Sequence, residues 1–579
     1  MVRAFAYIGA VALFTGVTFG QSTGAPSASQ QFEVSEIHTS PPALRPFMNG
    51  PFIHGPEYVV RNASMVDLIS TAYGVDSDKV LGGPNWLEFD RFDVRAIAPA
   101  GSTAETRKQM LQALLADRFK LVMHNDSRPF LGFSLVAGKS LKLKAAEGAG
   151  DTGCQVRAQG PPQPPPGETA GATPVRVPLK LVGTCHGTSM AALAEFLRDW
   201  VSDPAVVTNG QFSNPPVLDK TGLEGTWDFE ITFPLAGMLP LQFHEQNAAI
   251  SDALDKQLGL KLEDTKVPMP VILVDHVNEK PTDNPPDALK RLPPPPTEFE
   301  VAEIKPTVPA PPLPGGRRGG RGPAFQNDRM NLQGYTLRQI INLAWNLTGE
   351  DMLVGAPKWL DSDQFDFIAK APAAVMASPA APGGRGPVDV DLYRPMIQKL
   401  LMDKFKLAVH YEDRPMNALT LTAAKPKLQK ADPAGRTRWF DGPLADGKDP
   451  RVANPALNRL VQCQNITMAQ LAALLPSIAG GYVHNTVVDA TGLTGAYDFT
   501  LSFSPAGIIN GGGGRGGDVG GGGGGGGGGT PGAAAASDPS GGISLYDAIS
   551  RQLGLKLEMQ KRPMPVLVID HIEQKPADN

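Results

Sequence analysis

Between Trp227 and Phe233 apolar and polar residues alternate strictly: Trp227, Phe229, Ile231 and Phe233 against Asp228, Glu230 and Thr232. A period of two sends successive side chains to opposite faces, so the stretch predicts a half-buried strand. The same beat returns at Tyr497, Phe499, Leu501 and Phe503, interleaved with Asp498, Thr500 and Ser502. Thr-Gly-Leu-x-Gly precedes both stretches, and glycine there enters positive φ without steric cost.

Other matched pieces keep the same order. FEVSEI (Phe32–Ile37) answers to FEVAEI (Phe299–Ile304). Ser64 and Thr336 are N-cap candidates before helices whose apolar faces are Met65, Leu68, Ile69, Ala72 and Tyr73, and Leu337, Ile340, Ile341, Ala344 and Trp345. GGPNWLEFDRFDVRA (Gly82–Ala96) matches GAPKWLDSDQFDFIA (Gly355–Ala369), and MLQALLADRFKL matches MIQKLLMDKFKL as a second helix. Strands are expected from Leu121 and Leu407, then polar turns at HNDSRP and HYEDRP, then further strands. A third helix begins near Ser189 or Thr467, and a fourth ends at Gly259 or Gly554. PMPVILVDHV (Pro268–Val277) and PMPVLVIDHI (Pro563–Ile572) close the two series as strands. The pattern predicts an α+β fold: two tandem homologous mixed α/β domains, each packed independently.

Composition adds the punctuation. The chain has 579 residues, with 64 glycines and 55 prolines that cluster, so disordered Pro/Gly-rich inserts are expected at 155–178, at 306–324 and in a glycine-rich insert at about 510–542. Residues 1–21 carry Arg3, an apolar run from Ala4 to Phe19 and small residues before Gln21, the pattern of a signal peptide. The domains are then 32–284 and 299–579, joined by an extended Pro-rich linker at 285–298. A periplasmic or secreted protein with no integral membrane segment after cleavage is expected. A net charge of −5 argues against bulk polyanion binding. The tract Gly316–Gly322 resembles RNA-binding Arg-Gly repeats, but in an exported chain it reads as a basic loop, so no nucleic acid is expected as partner.

Candidate chemistry is sparse. Cys154 and Cys185 either pair across the Pro/Gly-rich insert or remain thiols; Cys463 has no second cysteine in its copy. GTSMA (Gly187–Ala191) resembles the serine-nucleophile motif of subtilisin-type proteases, but the second copy reads NITMA, so a capping role for Ser189 is expected. His124 with Arg128, and His410 with Arg414, lie near Asp126 and Asp413, a set able to bind an anion or move a proton on one turn, although a solvated hairpin turn with local ion pairing is the favoured reading. Asp275 and His276, like Asp570 and His571, are strand neighbours facing opposite ways and cannot grip one ligand together. Nine histidines and three cysteines form no His-x-x-x-His or Cys-x-x-Cys pair, so neither metal nor cofactor is expected.

FEVAEIKP, GAPKWLDSDQFDFIAKAP, LLMDKFKLAVH, VVDATGLTGAYDFTLSF and LGLKLEMQKRPMPVLVIDHIEQKPADN together resemble an uncharacterised soil-associated domain family of Acidobacteria type. The resemblance covers nearly all of 32–284 and 299–579, and the first copy departs from it at FLGFSLVAG. It implies export and, in some relatives, fusion to membrane sensors of the antirepressor-metallopeptidase kind; it carries no known catalytic residue. The expected role is a non-enzymatic binding or interaction protein whose partner is an envelope or extracellular protein, peptide or glycan. The candidate surface is Trp86 and Trp359 with His124, Arg128, His410 and Arg414. An envelope hydrolase using the carboxylates of DRFD and DQFD, and a structural envelope component, are the alternatives.

Overall fold

The computed structural model describes residues 31–41, 47–146, 152–159, 180–198, 203–208, 211–213, 215–234, 248–307, 324–326, 328–347, 349–372, 389–432, 435–441, 450–454, 457, 459–484, 486–506 and 542–577. The expected signal peptide, most of the first two inserts and nearly all of the glycine-rich one lie outside these residues. Residues 155–159, expected within an insert, belong to the strand Gly153–Gln159.

Each copy is an α+β domain with three four-stranded sheets. In the first copy, Val34–Thr39, Asn49–His54, Glu57–Ser64 and Arg91–Ile97 make one sheet, ordered in space first, fourth, third, second. Lys144–Ala145, Gly153–Gln159, Lys180–Thr188 and Trp227–Pro234 make another in the same order. Between them runs a ribbon of two long antiparallel strands, Val122–Ala137 and Leu260–His276. Val80–Gly82 joins one end of the ribbon in parallel and Val217–Asp219 joins the other. The second copy repeats this around the ribbon Ala408–Ala423 and Leu555–His571, with Leu353–Val354 and Val487–Asp489 at its ends.

Every copy therefore consists of two lobes of one topology sharing a ribbon, and the lobe occurs four times in the chain. A local device recurs with it. The third strand of each lobe bulges, placing Asn62, Gly187, Gly334 or Asn465 in left-handed backbone with φ of 53°, 51°, 72° and 51°. Asparagine and glycine are the residues that enter this region most readily. The displaced N–H donates to Oδ1 of Asp93, Asp228, Asp366 or Asp498 on the neighbouring strand, at 2.7, 2.8, 2.8 and 2.7 Å. Two residues on, Ser64, Ser189, Thr336 or Thr467 accepts a first-turn N–H and starts a helix. Ser189 of GTSMA is thus one of four equivalent helix caps.

Apolar periodicity supplies a separate core for each lobe. In the first copy Leu68, Ile69, Leu115 and Phe119 fill one core, and Leu193, Leu197, Ile231 and Phe233 another. In the second copy Ile340, Met396, Ile397 and Phe405 fill one, and Leu471, Leu475, Leu501 and Phe503 the other. Burial of each such side chain stabilises by about 1.5–3 kcal/mol.

Two expectations are corrected here. HNDSRP and HYEDRP are not turns: each lies inside one continuous 16-residue strand. Their polarity reflects position, since the middle of the ribbon passes between the two cores and belongs to neither. There the ribbon is only two strands wide, so Pro129 opposite Pro268 and Pro415 opposite Pro563 leave no ladder bond unmade and protect the free edges. Nor are the copies independent globules joined by an extended linker. Ala288–Arg291 forms a helical turn that packs Ala288 and Leu292 on Val34, and Arg95 Nη2 donates to the Pro293 carbonyl at 2.7 Å. Val301, the counterpart of Val34, has no such cover and is 65% exposed.

The copies also touch directly. Arg61 Nη2 reaches Asp389 Oδ2 at 3.0 Å, with His54 Nε2 at 3.8 Å from the same oxygen. Burial alone would raise the Asp389 pKa, but the facing His54 and Arg61 outweigh it and hold the carboxyl below its ordinary value. Arg436 donates from Nη1 to the Val80 carbonyl at 2.7 Å, its Nε lies 3.1 Å from Glu88, and Phe89 packs on the second core of the second copy.

Candidate functional site

The ribbon's register builds one arrangement twice. His124 pairs with Leu273 across the strands, which brings its Nδ1 to 2.8 Å from Asp275 Oδ2. In the second copy His410 pairs with Val568, and its Nδ1 lies 2.9 Å from Asp570 Oδ2. Ile272 and Val274 face the core, so the imidazole–carboxylate pair stands on the opposite, solvent face. Both histidines are about half exposed, at 52% and 50%. A carboxylate oxygen accepts the bond, so Nδ1 donates, and in the neutral tautomer that does so Nε2 carries the lone pair. Such a pair can take a hydrogen bond or a proton from a ligand on the surface.

Neither arginine of the expected set reaches its histidine directly, although in the second copy Glu412 lies between the two, its Oε2 4.0 Å from His410 Nε2. Arg128 Nη2 pairs with Asp126 at 2.7 Å and Arg414 Nη2 with Glu412 at 2.9 Å, two residues back on the same strand face. Four residues separate each from its histidine, roughly 13 Å along a strand. The true partners, Asp275 and Asp570, come from the far end of each copy. Sequence reasoning treated them only as neighbours of His276 and His571. The clue was their recurrence at the same place relative to His124 and His410.

The tryptophans serve packing more than contact. Trp86 is half-buried and meets Phe92 edge-on, with centroids 6.3 Å apart. Its segment lies in the interface between copies, where the Thr437 N–H donates to the Asn85 carbonyl at 3.2 Å. Trp359 is half-buried against the core of its own lobe. Both segments follow the short strands that flank the histidine–aspartate end of each ribbon.

The carboxylates of DRFD and DQFD are committed to structure. Asp93 and Asp366 hold the bulges, as above. Burial, then the nearby Glu279 carboxyl, pushes Asp90 up to about 6. Hydrogen bonds from Gln574 and Ser362 hold Asp363 below its ordinary range. The cavity between the copies, about 110 Å³, is lined by Glu57, Arg61, Arg95, Leu392 and the Pro293–Pro296 run. Its arginines already face Asp389 and Glu57, which cancels the attraction an anion would feel.

Cys154 and Cys185 lie opposite each other in adjacent strands and form a disulfide; Cys463 is buried and takes no part in it. Among the described residues no group of three His, Cys, Asp or Glu side chains is placed to hold a metal ion. No described helix is long and apolar enough to cross a membrane.

Comparison with curated proteins finds no match, and neither does comparison with solved structures. A family model, described as "Protein of unknown function (DUF3738)", matches residues 66–277 and again 338–572. Each match starts in the first helix of a copy and ends with its ribbon, and so covers both lobes apart from the strands that precede that helix. The chain belongs to this family of proteins of unknown function and carries its domain twice in tandem.

Proposed function

We propose that the chain is an exported, non-enzymatic binding or interaction protein that contacts its partner through the outer faces of its two ribbons. The observation that carries this reading is the histidine–aspartate pair, present at the same position on both ribbons and exposed in both. The pair sits on a strand face rather than in a cleft, which suits contact with a broad surface. Among the described residues the hydrogen-bond partner of each imidazole is an aspartate rather than a serine, threonine or cysteine. The partner class is an envelope or extracellular protein, peptide or glycan, and export rests on the amino-terminal pattern.

Affinity capture from envelope extract tests the reading. The full mature chain is compared with a variant carrying His124→Ala and His410→Ala, with retained material identified by mass spectrometry. The expected result is a component lost from the variant while the melting temperature is unchanged. Equal retention by both proteins, or turnover in a hydrolase substrate panel, contradicts it.

A further inference from the structure

The first sheet of each copy turns one face to its core and one away from it. In the first copy the outward face carries two rows across the strands: Val34, Ile97 and Glu57, then Glu36, Arg95 and Val59. The segment that follows the ribbon lies across them. Ala288 and Leu292, four positions apart on a helical turn, pack on Val34 and leave it 6% exposed. Arg291 Nη2 donates to the Glu33 carbonyl at 2.9 Å, and Arg95 Nη2 to that of Pro293 at 2.7 Å. The run Pro293–Pro296 continues past Glu57 and Arg61. A proline-rich strap with one aliphatic turn is thus the cover this face takes.

The second copy builds the same face and leaves it open. Its rows are Val301, Lys370 and Arg329, then Glu303, Ile368 and Asn331. Ala302, Ile304, Phe367 and Ala369 turn the other way, into the core. Val301 is 65% and Ile368 45% exposed, and the two are diagonal neighbours on adjacent strands. Ile368 stands where the first copy has Arg95, whose guanidinium there is taken up by Glu36 and Glu57. The place therefore gains an aliphatic surface. Its charge changes too. Lys370, paired with Glu300 at 2.6 Å, stands in the position of Ile97, and Arg329 puts a positive charge where Glu57 puts a negative one.

We propose that the outward face of this sheet in the second copy docks a proline-rich segment of another protein, built as the strap is: a helical turn with two aliphatic residues four apart, running into prolines, with carboxylates on the turn. The aliphatic residues cover Val301 and Ile368 as Ala288 and Leu292 cover Val34. A proline run is extended before it binds, so docking costs it little chain entropy. Arg329 selects for acidic side chains, and the strap of the first copy instead carries Lys290 and Arg291 on its turn. A second copy of this chain does not suit as the occupant, because its own strap is tethered over Val34 at high effective concentration. The face is separate from the histidine–aspartate pairs and does not depend on their role.

Fluorescence anisotropy of the full mature chain with a labelled peptide tests the assignment. The peptide is the strap sequence, residues 284–298, carrying Lys290→Glu and Arg291→Glu. One saturable equivalent is expected, because the matching face of the first copy is already filled. Val301→Glu with Ile368→Glu, both at exposed positions, should weaken binding at least about tenfold, the contribution of one buried aliphatic side chain, and leave the melting temperature unchanged. The unaltered strap peptide should bind less tightly than the acidic one, and Arg329→Glu should reverse that order. His124→Ala with His410→Ala should leave binding as it was. Absence of saturable binding, indifference to the Val301 and Ile368 changes, or tighter binding of the unaltered peptide would each overturn the proposal. Binding that appears only after deletion of residues 308–322 would assign the face to the chain's own insert. Self-association abolished by the Val301 and Ile368 changes would assign it to a second copy, and either result overturns an outside partner.

Discussion

Asp93, Asp228, Asp366 and Asp498 do the same work in four places: each accepts the N–H that a bulge turns out of its ladder. Removing one leaves a largely buried donor without a partner, which costs about 1–3 kcal/mol. Asp498→Ala should therefore lower the denaturant midpoint by that equivalent, whereas Asp413→Ala on the exposed ribbon should not; chemical denaturation of the two variants decides it. Asp90 offers a test in pH. Its folded pKa of about 6 lies above the ordinary 3.8, so its contribution is fully present only below the unfolded value and is lost as pH rises through about 6. Glu279→Gln, which copies Gln574 of the second copy, should raise stability at pH 8 and change nothing below about pH 4. Solvent reaches Asp90, so the gain should stay under about 1 kcal/mol. Melting curves across pH 4–8 would show it, and a gain of equal size at both ends would speak against the cause given. At this scale the sequence was partly legible. The caps Ser64, Ser189 and Thr336 were readable from side-chain chemistry, but the bulge aspartates were not, because their task is defined by a neighbouring strand.

At the scale of elements, the ribbon explains both what the sequence disclosed and what it hid. Alternation from Tyr497 to Phe503 and the helical stripes through Ile340 and Met396 follow from burial on one face, so local pattern revealed them. The long strands escaped local pattern because each serves two cores at its ends and none at its middle. Polar residues with proline there imitate a turn. The half-repeat inside each copy was written in the sequence as aromatic-Asp and Asn/Gly-x-Ser/Thr. Those pieces recur without their surroundings, and strand pairing was needed to show that they meet. The disulfide belongs to this scale as well, for it staples Gly153–Gln159 to Lys180–Thr188 across 31 positions of chain. Cys185→Ser should cost about 3–4 kcal/mol by the chain-entropy estimate. Calorimetry of that variant should show a lower melting temperature, and an unchanged melting profile would count against a structural role.

For the molecule as a whole, the asymmetric junction matters most. The first copy presents Arg61 and His54 to Asp389 of the second, and the corresponding places in the other direction are filled by Gln333 and Thr103. The contact is thus specific to this order of domains and cannot be returned. Asp389 is held below its ordinary pKa, so its share of stability is present above the unfolded value near 3.8 and fades as pH falls through the lower folded one. Sequence comparison could not reveal the junction, because it forms where the two copies differ. Arg61→Ala strands Asp389 in a buried site and should cost about 3 kcal/mol. The most direct test of the central claim, that two family domains act as one body, is scanning calorimetry of the full chain and of a variant combining Arg61→Ala with Arg436→Ala. The structure predicts coupled unfolding of both copies in the unaltered chain and two separated transitions in the variant. Two independent transitions in the unaltered chain, left in place by the substitutions, would contradict it.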